Sequence, residues 1–371
     1  MVCYNYVKRL TSVICIIYCV NKKKDVNMGK RTTIKDIAEA TGLSIATVSN
    51  VINGINKVSE ENRQLVLKTM KELDYHPNLA ARSLSRNRSD MIGLLLPLTE
   101  VDADIGFMLR DNPFYGELVS AVEYKATELG YDVLIKGVRP GESCRDWVLK
   151  RNLDGVIFIG NDTNVISKEM KELESQLVLV DAYDEGVKQH STISIDDRQG
   201  GYIATKHLLD LGHRNIAIAA SNILPEGVIQ RRFQGYKDAL ESRGIQVKSE
   251  YIFQDSLSFD GGYRIGKKLL KHSNEITAVF AAADVVAFGI IKAFNESSKK
   301  IPEDLSIIGF DNTKTCEFLN PALTSIAQPI YEKGIKAVEI LVDLIYNSNS
   351  EIRKITLPVK LVERDSTCRI S

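Results

Sequence analysis

The chain is short of the residues that staple, anchor or catalyse. Its six cysteines, at 3, 15, 19, 144, 316 and 368, are scattered, with no CxxC spacing. That excludes a disulfide framework and points to free thiols in a reducing compartment. The five histidines lie apart and complete neither a metal site nor a Ser/His/Asp set, and no Gly-rich phosphate loop follows a strand pattern. The expectation is therefore no catalytic residue, no metal, no cofactor and no enzyme activity. No apolar run is long enough to cross a bilayer as a helix; the one at 13–20 is far too short. Net charge is absent too: 48 Lys and Arg balance 48 Asp and Glu over 371 residues.

The zero conceals an uneven distribution. Residues 28–90 carry ten basic and seven acidic side chains, and residues 1–27 five basic against Asp25 alone, so the remainder is net acidic. A basic head on an acidic body suits a protein that meets phosphate at one end. Within 1–27, Lys8 and Arg9 precede the apolar run and Lys22 to Lys24 follow it, in the manner of a signal peptide without its cleavage site. We expect 1–27 to be a non-native or disordered extension, with Met28 opening the functional chain.

Residues 33–54 read TIKDIAEATGLSIATVSNVING. Thr33 can cap a first helix bearing Ile34, Ile37, Ala38 and Ala40, with Asp36 in the dipole-favoured first turn. Gly42 allows a tight turn, and Ser44 can cap a second helix. There Val48, Val51 and Ile52 face inward, leaving Ile45, Ala46, Ser49 and Asn50 outside. This pattern is a helix-turn-helix whose second helix suits a major groove. A third helix is expected over 59–73, with Val66, Leu67 and Met70 apolar. A break follows at Tyr75 to Asn78, then a short small-residue segment ending in Leu84 and a basic polar run.

From Met91 short apolar strands alternate with amphipathic helices. Strands are expected at 92–96, 132–135, 155–159, 177–180, 192–195, 216–220, 278–281 and 306–310, with helices at 115–129, 200–211, 233–242, 263–270, 285–294 and 333–346. Such alternation means parallel sheets covered on both faces, and the strands are too many for one tidy sheet.

These segments resemble the lactose-repressor-type (LacI/GalR) family of transcriptional regulators. The resemblance rests on 33–54, on LDYHPNLAARSL at 73–84, NPFY at 112–115, LGHR at 211–214, RFQGY at 232–236, GFD at 309–311 and PALT at 321–324. It covers essentially everything from Met28. It implies an all-α helix-turn-helix head at 28–76, a hinge helix and linker at 77–89, and an α/β body like a periplasmic binding protein at 90–371. The body would comprise two doubly wound subdomains, about 90–195 with 328–356 and about 196–327 with 357–371.

The resemblance also implies roles. Ile45, Ala46 and Asn50 match base-contacting positions, although many relatives carry Arg or His where Asn50 stands. Thr33, Ser44, Thr47, Ser49, Asn53 and Ser59 match phosphate-contacting ones, which position the head without specifying sequence. Asn78, Ala81 and Leu84 match the hinge in the minor groove, Leu84 as a wedge. Phe114, Tyr115, Asp181, Arg232, Asp311 and Gln328 match effector-binding positions in a cleft beyond the strand ends; the alternative for Arg232 and Asp311 is a mutual salt bridge. Two departures stand out: Ala283 replaces a common Asn, and about ten residues, 99–110, are inserted before Asn112. The implied protein is a cytoplasmic homodimeric repressor of double-stranded operator DNA, controlled by a sugar or sugar phosphate, with no membrane partner. The competing reading is an exported sugar receptor with 1–27 as its signal; the discriminating segment is 32–89, for which a receptor has no use. A chain starting at Met28 is expected to bind DNA as tightly as the full chain. A mobility-shift titration in which truncation loses binding or solubility would show instead that 1–27 belongs to the fold.

Overall fold

The computed structural model describes residues 32–54, 58–75, 88–99, 102, 104–160, 163–223, 227–347 and 350–370. They belong to two compact units that divide after residue 87. The extension at 1–27 and the hinge residues Asn78, Ala81 and Leu84 lie outside the described residues.

The first unit holds α1 (Ile34–Thr41), α2 (Ile45–Ile52) and α3 (Glu60–Glu72). At the start of α1 the Asp36 carboxylate accepts from the Thr33 N–H at 2.6 Å and from its hydroxyl at 2.8 Å. Gly42 closes the helix at φ 67°, a conformation glycine takes without steric cost. Ser44 accepts from the Thr47 N–H at 3.1 Å, so α2 restarts two residues later with its first turn satisfied. Ser59 does the same for α3 through Asn62. Ile37, Ala38, Val48, Val51 and Val66 form the buried centre. Ala40 and Leu67 are exposed. Each residue of a helix turns ~100°, so Leu67 leaves the face set by Val66 and Met70, and Ala40 leaves that set by Ile37 and Ala38.

In the second unit β1 (Met91–Pro97), β2 (Asp132–Val138), β3 (Gly155–Ile159), β4 (Gln176–Val180), β5 (Ser191–Ile195) and β11 (Lys354–Leu357) form a parallel sheet in the order β11-β5-β4-β3-β1-β2. The central strand β3 is apolar throughout and every residue of it is buried, as a strand covered on both faces requires. A second sheet contains β6 (Ile216–Ala220), β7 (Ile252–Gln254), β8 (Ala278–Ala281), β9 (Ser306–Asp311), β10 (Thr324–Ala327) and β12 (Lys360–Val362), in the order β12-β10-β9-β8-β6-β7. Only β12 runs antiparallel, pairing Val362 with Ser325. The chain passes from the first sheet to the second after β5, returns after β10 and passes over again after β11.

All eight expected strands form. β7, β10, β11 and β12 were not expected; they have three or four residues each, too few to show a period. Residues 105–110 of the insertion belong to a helix, α4 (Ile105–Asp111), capped by Asp104, whose Oδ1 accepts from the Phe107 N–H at 2.8 Å, and anchored in the core by Met108. It runs directly into α5 (Pro113–Glu128). The other helices are α6 (Arg145–Arg151), α7 (Thr163–Glu172), α8 (Asp197–Asp210), α9 (Val228–Glu241), α10 (Phe259–Leu269), α11 (Asp284–Asn295) and α12 (Ile330–Tyr346). None of the described helices is long and apolar enough to cross a membrane.

α8 and α9 touch backbone to backbone. A Cβ on Gly201 would lie 2.1 Å from the Arg232 carbonyl oxygen, and one on Gly235 would lie 1.9 Å from that of Arg198. This contact sets Arg232 against the start of α8. Gly235→Ala is expected to force the helices apart and cost about 1–3 kcal/mol. Urea unfolding at unchanged m would measure it; an unaltered midpoint would mean the helices separate freely.

Candidate functional site

Two groups of residues are brought together. On the head, Ile45 and Ala46 are exposed at the start of α2, Ile45 by 46%, with Ser49 and Asn50 half-buried a turn later. An exposed Ile beside an Ala is an apolar surface that none of the described residues of its unit covers. Thr33, Ser44 and Ser59 stand at the starts of the three helices, where backbone N–H groups and the helix dipole favour an anion. Ser44 shares its hydroxyl with Thr47 at 2.8 Å, and Asn53 donates to Ser49 at 3.2 Å. Ser44 and Thr47 thus share the exposed start of α2, and Ser49 and Asn53 lie at its other end.

In the body, Phe114, Tyr115, Asp181, Arg232, Asp311 and Gln328 all line one cavity of about 130 Å³. Ala283 lines it too, contributing a methyl where an amide was a possibility. Asp181 directly follows β4 and Asp311 ends β9, one from each sheet. Both hold left-handed backbone, at φ 53° and 120°, a strained conformation that non-glycine residues keep only where the surroundings enforce it. The Phe114 and Tyr115 rings meet edge to face at 5.1 Å on the first turn of α5. Burial pushes the Tyr115 phenol up, and the carboxylates of Asp102, Asp181 and Asp311 add to it.

The polar groups are connected. Arg232 donates from Nε to Asp197 Oδ1 at 2.8 Å and from Nη1 to the Ala282 carbonyl at 2.6 Å, while Asp311 Oδ1 lies 3.7 Å away. Its guanidinium lies 3.5 Å from the centroid of the Phe310 ring. Gln328 donates from Nε2 to Asp311 Oδ1 at 2.5 Å. Lys333 donates to both oxygens of Asp181 and to Gln328 Oε1. Tyr183 donates to Asp197 Oδ2 at 2.5 Å. Burial, with Asp284 behind it, pushes Asp311 up to about 7 against the pull of Arg232 and Gln328. Asp284 is itself held by Thr313, Cys316 and Ser325. Arg232 and Asp311 therefore do pair, but at a distance; the close partner of Arg232 is Asp197.

Asp197 and Lys333 were missed in the sequence. Asp197 follows Asp196 at a helix start, where a carboxylate reads as a cap. Lys333 left a signal: it falls on the buried stripe Ile330, Gly334, Ala337, Val338 and Leu341, where a charge has no ordinary reason to stand.

Residues 33–78 match the family model for bacterial regulatory proteins, lacI family, and residues 205–367 that for a periplasmic binding protein-like domain. The chain is 38% identical over 344 residues to the HTH-type transcriptional regulator DegA of Bacillus subtilis (strain 168), covering 91% of this chain and 98% of that one. It is 34% identical over 339 residues to the ribose operon repressor of Haemophilus influenzae, covering 90% and 98%. A structure of the lac repressor dimer bound to operator and the anti-inducer ONPF matches with TM-score 0.77 and 26% identity, over 91% of this chain and all of that one. A LacI family regulator from Enterococcus faecium with bound ribose matches with TM-score 0.67 and 32% identity, over 76% of this chain and all of that one. The chain belongs to the lacI family of bacterial regulatory proteins and is a transcriptional regulator. That sets aside the exported receptor.

Asp197→Ala leaves Arg232 buried without its nearest counter-charge and is expected to cost about 3–5 kcal/mol in urea unfolding. Asp311→Asn keeps an acceptor for Gln328 and should instead alter pH dependence. The native carboxyl, at about 7 rather than 3.8, keeps a proton that the unfolded chain releases. Its contribution to stability is present at low pH and is lost as pH rises to about 7. Unfolding across that range should show a steeper fall of stability with pH in the parent chain than in Asp311→Asn.

Proposed function

We propose that the protein is a cytoplasmic repressor, without enzymatic activity, that binds a pseudo-palindromic double-stranded operator as a homodimer and answers to a small sugar in the body cleft. The observation that carries this reading is the convergence of all six effector-matching side chains on one cavity between the strand ends of two sheets. Carboxylates accept from sugar hydroxyls, Arg232 and Gln328 donate to ring and hydroxyl oxygens, and the aromatic pair covers the apolar face of a ring. At about 130 Å³ the cavity is smaller than the ~300–1,000 Å³ usual for ligand pockets. The fitting occupant is a single sugar ring, and anything larger requires the cleft to open.

In this reading Ile45, Ala46 and Asn50 read base edges, and Thr33, Ser44, Thr47, Ser49, Asn53 and Ser59 hold phosphate. Leu84 from each protomer wedges into the minor groove between half-sites. Effector binding biases the two halves of the body between open and closed states with different affinity for DNA.

The test is a binding-site selection followed by anisotropy titration of the selected duplex, with and without D-ribose and other monosaccharides. The expected outcome is a palindromic site whose affinity shifts on addition of at least one sugar. Asn50→Ala should weaken binding by about 1–3 kcal/mol and relax preference at one base pair per half-site. Unchanged preference would remove Asn50 from the readout, and no selected site at all would overturn the operator reading.

A further inference from the structure

One buried cation has no part in that account. Lys333 is 0% exposed, and its three N–H donors are all engaged: Asp181 Oδ1 at 2.8 Å, Asp181 Oδ2 at 2.6 Å and Gln328 Oε1 at 2.6 Å. Stability alone does not account for it. A buried ion pair replaced by apolar side chains of the same volume is often no less stable, and the rest of this face of α12 is apolar or glycine. What the ammonium does is fix two acceptors of the cleft. It holds both oxygens of Asp181, opposing the burial that pushes that carboxyl up. By taking Gln328 Oε1 it turns the amide so that Nε2 faces Asp311.

The same contacts set the charge a ligand meets. Arg232 and Lys333 are both engaged by protein acceptors, Arg232 by Asp197 and the Ala282 carbonyl. Against these two cations stand three buried carboxylates, Asp181, Asp197 and Asp311. Hydroxyl donors find oriented acceptors here; a phosphate finds each cation already paired with a carboxylate, Arg232 with Asp197 and Lys333 with Asp181.

We propose that Lys333 is a positioning and specificity residue: it fixes the cleft for an uncharged, polyhydroxylated ring and against the phosphorylated form of that ring. This rests on the sugar-effector reading above.

The full chain is titrated by calorimetry and thermal shift with D-ribose, D-glucose, D-ribose 5-phosphate and D-glucose 6-phosphate at constant ionic strength. At least one free sugar should bind about 30-fold or more tightly than its own phosphate. Asp181→Asn keeps a hydrogen bond to the ammonium but removes its counter-charge, and should move that ratio towards the phosphate by about 10-fold. Lys333→Met should weaken the free sugar by about 10-fold while operator affinity is retained. If Lys333→Met melts below the assay temperature, Lys333→Gln takes its place, because it keeps donors towards Asp181 and Gln328 without the charge, and a purely structural ion pair would leave its ratio at the parent value. A phosphate bound as tightly as the free sugar, or a ratio unchanged in Asp181→Asn, would overturn the role of Lys333 and leave the sugar reading standing. Silence towards free and phosphorylated sugars alike, in melting and in operator affinity, would overturn the sugar reading and this inference with it.

Discussion

Asp181, Asp197, Arg232, Asp311 and Lys333 are each at least nine-tenths buried, in surroundings where an uncompensated charge costs several kcal/mol. Compensation has to come from another element, because successive charges on one strand end or helix turn cannot all reach one another. Arg232 reaches from α9 to the start of α8, and Lys333 from α12 to the residue after β4. Gln328, in the crossover before α12, reaches Asp311 at the end of β9. The helix contact at Gly201 and Gly235 and the path of the second crossover are thereby tied to the cleft. Moving any of these elements exposes or strands a charge.

The architecture of the body was legible because it is repetitive. Apolar runs of four or five residues bounded by turns can only be buried strands when amphipathic helices separate them. The four short strands escaped because pairing, not composition, makes them strands: β11 is exposed at two of its four positions and half-buried at a third, and exists through its ladder to β5. In the cleft, residues at strand ends could be placed in advance, since parallel sheets leave their carboxyl ends open. Their partners could not. The contact between Asp197 and Arg232 spans 35 residues and that between Asp181 and Lys333 spans 152. Only the apolar context of Lys333 betrayed it.

The head was more legible than the body because its determinants are local. Caps act over three residues and a glycine at a positive φ over one. A leucine one step from the buried line, as at 67, is a surface residue, and scattered surface leucines are ordinary.

Under the proposed function, the effector's leverage follows from where its acceptors stand. Asp181 belongs to the first sheet and Asp311 to the second, so a ring bonded to both favours whichever arrangement brings them within reach of one small molecule. Tyr183, following β4, already links to Asp197 at the start of α8, so the two halves share a hydrogen bond before any ligand arrives. A ligand therefore adds to an existing preference rather than creating one. Hydrogen bonds to charged groups contribute about 1.5–3 kcal/mol each, and coupling between sites in such regulators need be only about 1–3 kcal/mol. One or two bonds made in the closed state and absent from the open one are sufficient. Under the proposed role of Lys333 those bonds require Asp181 to be ionised and fixed before the ligand binds. The fully buried lysine then supplies part of the switch without touching what it senses.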